Sequence, residues 1–149
     1  MVDFFNSFKN FKFDSSLFLK FSLLPAFLFF LGNPAIALLA FNVHSSLAII
    51  FGLVPLAGFI LLIYFGFVSF SKSDDPDSFD SLLPLIVYGA SCGFVSGLLN
   101  GISIYFYFGN SNPLSFIPVF AMPIHGIFFG SCFSLGGYLL NLIIFRKRA

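Results

Sequence analysis

The chain contains no tryptophan and no glutamate, and only 9% of its 149 residues are charged. Each shortage excludes something. A soluble domain carries about 25% charged residues, and one of this size leaves much of its surface in water. With 58% of the residues hydrophobic, the solvent that fits is lipid. All six aspartates, Asp3, Asp14, Asp74, Asp75, Asp77 and Asp80, lie outside the apolar runs. No arginine lies within those runs, and Lys20 sits near the end of one. Proton- and cation-coupled transport needs an ionisable group at membrane depth, and here only His125 could serve.

Catalytic and metal chemistry lack their signatures too. No HExxH, GxSxG, P-loop or Gly-rich dinucleotide fingerprint occurs, so the chain is not expected to be an enzyme. Cys92 and Cys132 both lie in apolar segments with no CxxC or metal-ligand spacing. They read as small apolar residues, and no metal or cofactor is expected. A net charge of +1 gives no footprint for nucleic acid.

What is present is phenylalanine, 26 residues of it, apolar throughout and suited to hydrocarbon. Without tryptophan, the aromatic belt at the membrane surface falls to Tyr64, Tyr88, Tyr105, Tyr107 and Tyr138.

The expected architecture is an all-α integral membrane protein, a single domain forming a four-transmembrane-helix bundle. Residues 1–16 carry Phe4, Phe5, Phe8 and Phe11 at helical spacing with Lys9 and Lys12 between them. That pattern is open to two readings, an amphipathic helix on the membrane surface or a frayed tail. Asp14-Ser15-Ser16 is a helix-start signal. The spans are read as 17–41, 47–70, 82–108 and 119–145, each meeting the ~20 residues a crossing requires. Gly32-Asn33-Pro34 predicts a break in the first span. Pro118 and Pro123 leave the start of the fourth open, the alternative being a helix that begins near Pro123. The acidic segment from Asp74 to Asp80 reads as a hydrated connector, or as a contact for a basic soluble partner.

Orientation follows from the basic residues. Lys9, Lys12 and Lys20 flank the first span, Lys72 lies in the middle loop, and Arg146, Lys147 and Arg148 follow the last. Four spans place all of them on one side, and basic residues favour the cytoplasm. Both termini are therefore expected there.

The strongest local pattern is Gly89, Gly93, Gly97 and Gly101, every fourth residue of the third span. Such spacing keeps the glycines on one helix face, where a neighbouring backbone can approach closely. Gly126, Gly130 and Ser134 form a looser counterpart in the fourth span. Together they predict a glycine zipper packing the third and fourth helices as an antiparallel hairpin. Beside the glycines, Asn100 is costly to leave alone in lipid. His125, near the outer end of the adjacent span, is its expected partner.

Function at this stage has two readings. The first is a structural, accessory or assembly subunit packed against other membrane protein subunits, or against itself, in the lipid bilayer. The second is a transporter or channel component for a small neutral or lipophilic solute, with Asn100 and His125 lining a polar cavity.

Overall fold

The structure is a computed structural model that describes residues 11–71, 79–108 and 116–146. All the regular structure in them is helical. Residues 1–10 of the expected surface segment, Lys72 and most of the acidic loop, the turn after Phe108, and Lys147 and Arg148 lie outside the described residues.

Helix α1, Ser15–Leu31, starts where the sequence signals it. The Asp14 carboxylate accepts from the Ser16 and Leu17 N–H groups at 2.8 and 3.1 Å, satisfying donors that the first turn leaves open. Its middle, Leu19–Leu23, is π-helical, which the sequence reading did not anticipate. The cause is Pro25, one turn on: it has no N–H and its ring crowds the preceding turn. The wider turn accommodates this, with the Leu24 N–H reaching the Leu19 carbonyl.

Helix α2, Pro34–Val43, follows after Gly32 and Asn33. The expected first span, 17–41, is thus two helices, interrupted where Gly32-Asn33-Pro34 predicted a break. Only His44 then separates α2 from α3, Ser45–Ser71. His44 Nδ1 accepts from the Ser46 N–H at 3.3 Å, so the side chain caps α3. Helix α4 is Phe79–Phe108; because it begins ahead of the expected boundary, Pro84 lies inside it rather than in its first turn. Helix α5 is Ile117–Arg146 and runs through Pro123, which removes the alternative start at Pro123.

Contacts fix the directions. Phe21 stacks on Phe65 (ring centroids 4.2 Å apart) and Phe29 meets Phe59 (4.7 Å), so α1 and α3 are antiparallel. The Ser22 hydroxyl donates to the Tyr88 carbonyl at 2.8 Å, and Asn33 bonds Asn100, so α1 and α4 run parallel. Phe59 packs on Phe133 (4.5 Å) and Asn141 Nδ2 donates to the Phe67 carbonyl at 2.7 Å, so α3 and α5 are parallel. The glycine faces make α4 and α5 antiparallel, in the most extensive helix contact of the molecule.

The buried core is small. One cluster joins Phe65, Leu85, Tyr88 and Tyr138, and another joins Ala26, Leu62 and Cys92. Meanwhile large apolar side chains point outward: Ile60 is 65% exposed, Ile124 67% and Phe128 66%. Such a surface, on three helices long and apolar enough to cross a membrane (Ile49–Val68, Leu82–Tyr107 and Ile117–Ile144), marks an integral, multi-pass membrane protein. Within that frame two of the expected belt tyrosines are core residues. Tyr88 and Tyr138 are buried, and the Tyr88 hydroxyl accepts from the Asp14 N–H at 2.9 Å. Tyr64, Tyr105 and Tyr107 are exposed.

Candidate functional site

The site is built around the break between α1 and α2. Gly32 ends α1, its N–H still reaching the Leu28 carbonyl at 3.2 Å. A side chain there would collide with the ring of Pro55 on α3, so the break and the proline of the neighbouring helix fit into one another. Next, ahead of Pro34, which opens α2, comes Asn33. Its side chain is 1% exposed. It crosses to α4, where Nδ2 donates to Asn100 Oδ1 at 2.6 Å and lies 3.4 Å from the Asn100 carbonyl.

This corrects the expected pairing of Asn100 with His125. Asn100 is bonded to Asn33, and His125 Nδ1 lies 2.8 Å from the Ala121 carbonyl one turn back on its own helix. The physical reason is reach: the helix break delivers an amide directly opposite Asn100, whereas the imidazole finds a carbonyl on its own helix within one turn. The two residues do share a space. A cavity of ≈ 580 Å³ is lined by Phe29, Asn33, Ser96, Asn100 and His125, among others. A second cavity of ≈ 340 Å³ shares Phe29, Ser96 and Gly126 with the first and continues between Phe59 and Phe133. Among the described residues no charged side chain lines either one.

One wall of both cavities is the α4–α5 contact. Methyl groups added at Gly93, Gly97 and Gly101 would overlap the backbone of Gly126, Met122 and Pro118. One at Gly89 would overlap the Ser134 side chain and the Gly130 carbonyl, and additions at Gly126 and Gly130 would strike Gly93 and Gly89 in return. Ser134 is buried and its hydroxyl donates to the Gly130 carbonyl at 3.1 Å. Two more glycines bring α3 and α5 together in the same way: Gly66 of α3 faces the Ser134 carbonyl, and Gly137 of α5 faces the backbone of Ile63. Gly66 shares its apolar run with Gly52 and Gly58, but at intervals of six and eight residues, so no four-residue repeat singled it out.

Asn141, five residues before the end of α5, is buried and its Nδ2 donates to the Phe67 carbonyl. Of the basic anchors, Lys12 and Lys20 are exposed beside the start of α1, and Arg146 ends α5. Cys92 is buried against α1 and α3, whereas Cys132 is exposed on α5. Among the described residues no three His, Cys, Asp or Glu side chains converge as metal ligands do. The chemistry the site offers is therefore neutral hydrogen bonding inside an apolar, aromatic-walled space. Comparison with family models, with curated proteins and with solved structures gives no match for this chain.

Proposed function

We propose that the chain is a four-span membrane bundle that holds a small neutral or lipophilic solute in the cavity at the α1–α2 break, as a transport or channel component. The cavity carries this reading. Its volume lies within the usual range for small-molecule sites, and its walls are mainly apolar with a few placed polar groups, as such sites are. Helices interrupted at membrane depth are a recurrent way of building solute sites. In this reading α1 and α2 together make the first crossing. End to end they cover roughly 40 Å at the helical rise, against a hydrocarbon core of about 30 Å. The α4–α5 pair, locked as a glycine zipper, is the fixed wall.

The bundle is proposed to keep both termini cytoplasmic. In a background lacking Cys92 and Cys132, single cysteines at His44 and Asn112 should react with an impermeant maleimide from outside intact cells. One at Ser73 should react only after permeabilisation. Reaction of all three from the same side would rule out four spans.

A structural or accessory subunit is the second reading. It is favoured by the backbone-to-backbone α4–α5 contact and by the fact that, among the described residues, no buried side-chain N or O lacks a partner. Native mass spectrometry of gently extracted protein separates the two. A lone chain or homo-oligomer that retains a small molecule supports the solute reading. A fixed heteromeric partner on an unliganded chain replaces it with the accessory one.

A further inference from the structure

The same cavity presents a donor and an acceptor of defined kind. Asn100 Oδ1 is taken by Asn33, which leaves the Asn100 NH₂ group as a donor. Asn100 is half-buried, and no buried side-chain nitrogen among the described residues is without a partner, so this NH₂ reaches open space. At His125, Nδ1 faces a backbone carbonyl, which can only accept. The ring proton is therefore on Nδ1, and in the neutral imidazole Nε2 is an acceptor. In hydrocarbon each group is costly to leave alone.

A carbonyl ligand could satisfy only the amide. A hydroxyl matches both kinds of group, because it can accept and donate through one oxygen. The neighbouring ≈ 340 Å³ space, walled by Phe59 and Phe133, takes an apolar body. None of the described lining residues carries a charge that a phosphate could pair with. Asn100 lies seven residues inside Tyr107, where the apolar span ends, or roughly 10 Å at the helical rise.

We infer that the cavity binds a neutral lipid through a free hydroxyl group, which accepts from Asn100 Nδ2 and donates to His125 Nε2. The inference rests on the solute-holding reading of this cavity. A diacylglycerol and a sterol share the required chemistry.

The test uses the full chain in nanodiscs with four photo-crosslinking probes: a diazirine diacylglycerol, a diazirine sterol, and the O-methyl ether of each. The free-hydroxyl form of one lipid or both should label α4 and α5 peptides around the cavity, and whichever labels identifies the source. Its ether should label about tenfold less, the usual effect of leaving one buried polar group unpaired. His125→Leu, at an exposed position, should bring hydroxyl and ether to the same level, and Asn100→Leu should lower both. Equal labelling by hydroxyl and ether, unmoved by His125→Leu, overturns the hydroxyl inference and leaves the solute reading standing. No cavity labelling by any probe overturns the inference too, and the solute reading is then decided by the retained molecule in the native mass spectra.

Discussion

Gly93→Leu should separate α4 from α5. A side chain at this position would drive into the carbonyl of Gly126, and Gly126 stands equally close to Gly93 in return. Neither side has a flexible group that could give way, since both are helix backbone. Ordinary overpacking of a core costs about 1–3 kcal/mol. A backbone collision at the molecule's most extensive interface belongs at the top of that range or above it, and a loss of roughly 3 kcal/mol or more is expected. The comparison that makes the experiment decisive lies within α5. Gly136 has open space around it, while the adjacent Gly137 abuts Ile63. Gly136→Leu should therefore fall within about 0.5 kcal/mol of the unmutated protein, and Gly137→Leu should resemble Gly93→Leu. Denaturation in mixed micelles with rising SDS, followed by circular dichroism, reads all three. A Gly93→Leu midpoint equal to that of Gly136→Leu would refute the packing account.

The second large effect concerns Asn33 and Asn100. Asn33→Leu keeps the side-chain volume nearly constant but leaves the Asn100 carbonyl oxygen facing an apolar group. Hydrogen bonds between membrane helices contribute about 0.6 kcal/mol on average, because the separated helices find other partners in the membrane. A buried acceptor stripped of its donor costs more, about 1–3 kcal/mol. The 2.6 Å bond, reached from a nearly inaccessible side chain, belongs to the second case. Each single leucine variant should lose about 1–2 kcal/mol. The double variant should lose less than the sum, since neither amide is then stranded. A double-mutant cycle of thermal melts in detergent measures the difference. Strict additivity would mean that the two side chains are not coupled.

The elements legible in the sequence were those announced by local pattern. Gly89 to Gly101 recur at a fixed interval, and the same residues stand against α5 in the structure. Gly32-Asn33-Pro34 carries its break in three adjacent residues. What stayed hidden depended on distant partners. Asn33 has a local reading as a cap, and nothing near it points to Asn100, 67 residues away. Tyr88 looks like an interface tyrosine until α1 is seen to begin against its hydroxyl. Asn141, close to a basic terminus, looks like an interfacial group until Phe67 is placed beside it. The cavity belongs to this second class, since Phe29, Asn100 and His125 come from three helices and share no sequence pattern.

The polar ties between α1 and α4 also set a timetable for synthesis. Ser22 and Asn33 belong to the half of the chain made first, and their partners Tyr88 and Asn100 follow 66 and 67 residues later. At about 5–20 residues per second of translation, that interval is roughly 3–13 s. For those seconds the first hairpin must sit in the insertion machinery or the bilayer without its bonds to α4. A chain interrupted between α3 and α4 would carry that condition permanently, presenting to membrane quality control an amide that the finished protein keeps inside.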